Sequence, residues 1–202
     1  MNKETVKAAT AIIIIPEIYG INRYIKDWTA FFSGRGYDVY CLDLIGNKHS
    51  FSYAEEGAAY LNFREKISFD CSEEVAVYLR ELKNNYSQII VFGSSVGATI
   101  AWRLTENSCC DGMIGYYGSR IREYLDVKPS CPCLLLFAEN EESFNVKPIC
   151  QQLMSKDLIE VAVLPGKHGF ADPDGNNYYR ESCKKARDMV EYFLNKIEKG
   201  AK

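Results

Sequence analysis

The sequence predicts a single α/β domain, residues 1–202, built on a mostly parallel sheet of about six or seven strands flanked by helices. Three observations carry this. Short β-branched and apolar runs alternate with amphipathic segments along the whole chain. The runs Ile12–Ile15 and Pro132–Ala138 are apolar at successive positions, as strands buried on both faces must be. Within Gln88–Arg103, QIIVFGSSVGATIAWR, an apolar strand passes through Gly93-Ser94-Ser95-Val96-Gly97 directly into a helical pattern.

Taken in order, Ile12–Ile15 is the first strand, and after the loop Pro16–Asn22 the stretch Tyr24–Ser33 has helical spacing at Ile25, Trp28, Phe31 and Phe32, ended by Gly34 and Gly36. Tyr37–Leu42 is the second strand. The connection Leu44–Ser52 is polar and contains His49, for which the sequence supplies no partner. Ala54–Arg64 has weak helical periodicity and reads as a short helix. Asp70–Leu82 is a helix with Val75, Tyr78, Leu79 and Leu82 on one face, broken by Asn84-Asn85 before the strand Ile89–Phe92. Gly112–Tyr117 and Pro132–Ala138 are strands, Pro148–Lys156 a helix, Glu160–Leu164 the last strand and Tyr178–Ile197 the closing amphipathic helix. Trp28 and Trp102 lie on helix faces and read as core.

Composition narrows the function. Forty-seven per cent apolar and 25% charged residues are ordinary for a globular protein, and a net charge of −3 gives no footprint for nucleic acid or an anionic membrane. The longest apolar run, Ala8–Ile15, is too short to span a bilayer. It is followed by Pro16-Glu17 rather than a small-residue cleavage site, so a buried strand is expected, not a signal peptide. The eight cysteines fall mostly in apolar segments without C-x-x-C, and only two histidines are present. That pattern predicts a reducing, cytoplasmic setting and no metal or organic cofactor. Cys131-Pro132-Cys133 reads as a strand entrance.

The strand ends carry the chemistry. G-x-S-x-G in a strand–turn–helix context matches a nucleophile elbow, which would expose the Ser95 Oγ and aim the Val96 N–H at a developing oxyanion. The loop after the strand ending at Ala138 is Glu139-Asn140-Glu141-Glu142-Ser143, and the last strand is followed by Pro165-Gly166-Lys167-His168-Gly169-Phe170. The order serine, acid, histidine suits a triad, because a hydroxyl becomes a useful nucleophile when an imidazole takes its proton and a carboxylate steadies the imidazolium. Any of the three glutamates could serve. A P-loop is excluded, since no Lys-Ser/Thr follows the glycines, and G-S-S-V-G-A is not a dinucleotide fingerprint.

With these residues in view the chain resembles the dienelactone hydrolase family of α/β-hydrolases over nearly its whole length. The resemblance rests on Glu17-Ile18-Tyr19-Gly20-Ile21-Asn22, the elbow, Gly115-Tyr116-Tyr117-Gly118, Ala138-Glu139-Asn140-Glu141 and His168-Gly169-Phe170-Ala171. It implies Ser95 as nucleophile, His168 as general base and then acid, Glu141 as triad acid with Glu139 and Glu142 as fallbacks, and the N–H groups of Ile18 and Val96 as the oxyanion hole. It also implies that Glu17 lies close to the nucleophile. Tyr19, Tyr116, Tyr117 and Phe170 fall in segments near such a pocket, and Glu17, Tyr19, Tyr117 and Phe170 are expected at the substrate.

The chain departs from the family pattern in four places. Serine replaces the frequent cysteine nucleophile, glutamate stands at the acid position, and Asp172 occupies the place of an arginine that holds a substrate carboxylate. The antiparallel strands that usually open the fold look missing, and the middle region leaves little material for a lid. The resemblance implies hydrolysis of a small carboxylic ester, lactone or thioester, and Asp172 in place of the arginine argues against anionic substrates held the same way. The alternative expectation is a non-catalytic binding or regulatory protein on the same scaffold, motivated by the acid-position glutamate.

Overall fold

The computed structural model describes residues 8–46 and 49–200. Six strands form one sheet: β1 (Ala8–Ile15), β2 (Asp38–Cys41), β3 (Tyr86–Ser94), β4 (Gly112–Tyr116), β5 (Cys133–Asn140) and β6 (Ile159–Lys167). Their spatial order is β2-β1-β3-β4-β5-β6, and every pairing is parallel. Six α-helices flank the sheet: α1 (Arg23–Gly34), α2 (Glu56–Asn62), α3 (Ser72–Lys83), α4 (Val96–Leu104), α5 (Val146–Met154) and α6 (Arg180–Gly200). This is the α/β-hydrolase arrangement expected from the sequence, and no antiparallel strand opens it among the described residues.

The two faces of the sheet take different helices because strand side chains alternate. On one face Ile13, Ile15, Val91 and Leu135 pack with Leu79 of α3, Ile100 of α4 and Leu153 of α5. On the other, Ile12, Ile14, Phe92 and Leu136 pack with Trp28 and Phe32 of α1 and Val190 and Phe193 of α6. All four isoleucines of β1 are completely buried, which is why that run shows no polar alternation. Trp28 and Trp102 are buried in these layers, and the Trp102 Nε1 donates to the Tyr124 carbonyl at 2.8 Å.

Two departures from the expected boundaries matter. β3 begins at Tyr86, because its register with Ala8 continues and the Tyr86 hydroxyl donates to Asp38 at 2.8 Å. β6 runs through Pro165 and Gly166 to Lys167. Pro165 lacks an N–H, but β6 is an edge strand, where that loss is tolerated. The weakly periodic connection after β2 folds as a 3₁₀ turn (Tyr53–Glu55), α2, a π-helical turn (Phe63–Ile67) and a further 3₁₀ turn (Phe69–Cys71).

The chain leaves β1 toward β2 on one side and returns across it to β3 on the other. Loops leaving neighbouring strands β1 and β3 therefore diverge, opening a crevice at their carboxyl ends.

Candidate active site

Ser95 stands at that crevice, between β3 and α4, with φ 54° and ψ −117°. A side chain at positive φ is strained, and the surroundings hold it there. The Ser95 N–H donates to the Tyr116 carbonyl of β4 at 2.9 Å. A Cβ on Gly93 would lie 2.3 Å from the Gly97 carbonyl oxygen, and one on Gly97 would lie 2.1 Å from the Ile15 carbonyl oxygen. The glycines of the motif are therefore required by close backbone approach. The same approach seats the first turn of α4 on the end of β1. Val96 opens that helix, where the first backbone N–H groups have no intrahelical acceptor, and Ile18 lies in the loop after β1. Both residues line the cavity in front of Ser95.

His168 and Glu141 are brought together by the sheet. The β5–β6 register shifts between Ala138 and Asn140, and beyond the irregularity Asn140 pairs with Lys167. The next residue on each strand is then Glu141 and His168. His168 Nε2 is 2.9 Å from the Ser95 Oγ, and Nδ1 is 3.0 Å from each carboxylate oxygen of Glu141. The Glu141 side chain is 3% exposed and that of His168 36%. Glu139 is exposed, and Glu142 points to solvent, where it meets Lys167 at 3.4 Å. Of the three glutamates, Glu141 alone is in contact with the imidazole. The Asn177 side-chain amide donates to the His168 carbonyl at 2.9 Å, holding the turn.

The crevice is a cavity of about 720 Å³. Its lining includes Glu17, Ile18, Tyr19, Ser95, Val96, Glu141 and His168, as expected at the sequence level. Two other expected contacts are not made. Tyr117 and Phe170 are both completely buried and do not line the cavity. Tyr117 lies beneath His168, ring centroids 5.0 Å apart, donates its hydroxyl to Tyr24 at 3.0 Å and packs edge-on against Phe170. Both are core residues supporting the histidine turn, as is Tyr116. His49 is exposed, packs on Phe51 and does not line the cavity.

The connection after β2 supplies a wall that the sequence did not reveal, through Tyr53, Glu56, Tyr60, Phe63, Arg64 and Phe69. The Tyr53 hydroxyl donates to Asp172 Oδ2 and accepts from the Asn22 amide at 3.2 Å, and its ring meets Tyr19 edge-on at 4.9 Å. Asp172 Oδ1 accepts from the Asp174 N–H at 3.0 Å. Nothing in spacing or periodicity marks Tyr53, because its partners are distant in sequence.

Electrostatics set this wall apart. Burial first, and the neighbouring Asp172 second, push the Glu17 carboxyl from an ordinary 4.5 up to about 7, against lowering by His168 and Asn22. Burial also raises Asp172, opposed by its hydrogen bonds. Tyr19 is pushed up to about 12 by burial and by Glu56, Glu17 and Asp172. All eight cysteines are free thiols. Among the described residues, no group of three or more His, Cys, Asp or Glu could hold a metal ion, and no helix is long and apolar enough to cross a membrane.

Comparison with known proteins shows the family and the fold. The chain is 35% identical over 171 residues to the uncharacterized protein YczH of Bacillus subtilis, covering 84% of each chain. It is 22% identical over 195 residues to carboxymethylenebutenolidase 1 of Cupriavidus pinatubonensis, covering 88% of this chain and 82% of that one. Among solved structures, a dienelactone hydrolase-like promiscuous phosphotriesterase from metagenomic libraries superposes with a TM-score of 0.74 at 12% identity, over 96% of this chain and 89% of that one. The apo form of Thermogutta terrifontis esterase 2 does so with a TM-score of 0.64 at 14% identity, over 95% and 84%. The family model for the dienelactone hydrolases matches residues 1–198, and the chain belongs to the dienelactone hydrolase family.

Proposed function

We propose that the protein is a serine hydrolase that cleaves a small carboxylic ester, lactone or thioester through an acyl-enzyme. The observation that carries this reading is the unbroken hydrogen-bonded chain from Ser95 Oγ through both His168 nitrogens to Glu141, at the floor of a cavity large enough for a small molecule. In it, Ser95 attacks the carbonyl carbon while His168 Nε2 takes the hydroxyl proton, and Glu141 steadies the imidazolium through Nδ1. The carbonyl oxygen, now an oxyanion, accepts from the Ile18 and Val96 amides. His168 returns the proton to the departing alkoxide or thiolate, then deprotonates a water that attacks the acyl-serine and frees the acid and Ser95. An oxyanion donor contributes about 2.7–4 kcal/mol to such a transition state.

The contact of both Glu141 oxygens with Nδ1 weakens the motive for a non-catalytic scaffold protein, which was a misaligned acid. Relatives named for lactone and ester hydrolysis support the same class. The test is labelling with a fluorophosphonate probe together with turnover of p-nitrophenyl acetate. The wild type is expected to be labelled at Ser95 and to hydrolyse the ester, and Ser95→Ala and His168→Ala to lose turnover. Full activity in Ser95→Ala would overturn the assignment.

A further inference from the structure

Apart from the exposed Glu56, the acidic residues lining the cavity fall into two sets. Glu141 meets His168, Glu142 meets Lys167, and Glu123 meets Arg120. Glu17 and Asp172 are different, because among the described residues neither is ion-paired with a lysine, arginine or histidine, although they are 9% and 3% exposed. Asp172 opposes ionisation of Glu17, and with Glu56 both act on the Tyr19 phenol. Arg64, the lining cation outside those ion pairs, is solvent-exposed on the π-helical turn.

Two buried carboxyls side by side are costly unless a positive charge or a proton compensates them. The aromatic groups present point to which charge the wall suits. Tyr19 and Tyr53 meet edge-on at 4.9 Å beside these carboxyls, and the faces of phenol rings attract cations. A carboxylate brought to the same place would lose its water and face like charge. Two donors beside these carboxyls, the Tyr53 hydroxyl and the Asp174 N–H, are committed to Asp172 and are not offered to an anion.

We propose that the wall of Glu17, Asp172, Tyr19 and Tyr53 binds an ammonium group on the substrate, so that the site accepts cationic esters, lactones or thioesters and rejects those bearing a carboxylate. This deepens, and rests on, the reading of the cavity as a hydrolase site.

The test is calorimetric titration of the wild-type protein at pH 8 with phenyltrimethylammonium and, separately, with benzoate, followed by the same titrations of Asp172→Asn and Glu17→Gln. The ammonium is expected to bind at least about tenfold more tightly than benzoate, to slow fluorophosphonate labelling of Ser95, and to lose about tenfold in affinity in either variant. Equal or tighter binding of benzoate by the wild type overturns the proposal, and this comparison does not depend on the variants folding. Ammonium affinity unchanged in folded variants also overturns it. Ester turnover without charge preference removes the ammonium site and leaves the hydrolase reading intact. Ammonium binding without ester turnover or labelling supports the wall and removes the hydrolase.

Discussion

The Tyr53 hydroxyl donates a hydrogen bond to the Asp172 carboxylate, joining the connection after β2 to the loop after β6 across the mouth of the cavity. Both residues are part of the wall facing Ser95, and Asp172 is also held locally by the Asp174 N–H at 3.0 Å. A hydrogen bond from a phenol to a buried carboxylate contributes about 1.5–3 kcal/mol. Tyr53→Phe removes the donor and keeps the ring against Tyr19. It is expected to lower unfolding free energy by about that amount, read as a lower urea midpoint with unchanged slope.

The raised pKa of Glu17 makes stability depend on pH. Below about 4.5 the carboxyl is protonated in both states; between 4.5 and about 7 the unfolded chain releases its proton while the native state keeps it. The native state therefore binds more protons in that window, and stability falls as pH rises through it, then levels off. The loss is about 3 kcal/mol at 1.36 kcal/mol per unit. Asp172 contributes in the same direction, while His168 and Asn22 oppose it; Tyr19, Tyr24, Tyr53 and Tyr117 stay protonated throughout. Glu17→Gln should flatten the profile and be the more stable protein at pH 8, measured by thermal unfolding from pH 4 to 8. A slope unchanged in the variant would assign it to other groups.

The three glutamates after β5 are separable by turnover. Glu141→Gln is expected to reduce kcat for p-nitrophenyl acetate on the order of 10³- to 10⁴-fold, since it removes the charge supporting the imidazolium. Glu139→Gln and Glu142→Gln alter only exposed carboxylates and should leave kcat near the wild-type value. A large loss in either of the latter would place the acid elsewhere.

At the elbow, steric and conformational costs should separate. Ser95→Gly relieves a positive φ and is expected to be more stable than Ser95→Ala by about 1 kcal/mol, both being inactive. Gly97→Ala drives a Cβ into the Ile15 carbonyl and is expected to cost about 3 kcal/mol or more, shown by a lower melting temperature or insoluble expression. A Gly97→Ala protein as stable as wild type would contradict the close approach of α4 to β1.

What could be read from the chain alone followed from local or periodic constraints. The elbow was legible because Gly93 and Gly97 are demanded by contacts that recur wherever a strand turns directly into a helix around a nucleophile. The parallel sheet was legible because Ile12–Ile15 and Leu134–Leu136 are apolar on both faces, which only a strand covered on both sides requires. His168 followed from strand order, since the loops of a parallel sheet gather at one end.

Only the tertiary structure decided which acid meets His168, because the choice depends on the register irregularity between β5 and β6 rather than on residue type. It also moved Tyr117 and Phe170 from the expected substrate wall into the core, since their segments reach the cavity while their side chains turn beneath it. Finally, it joined Tyr53 to Asp172. That contact spans most of the chain, and no periodicity encodes a hydrogen bond whose two ends are brought together only when the sheet is complete.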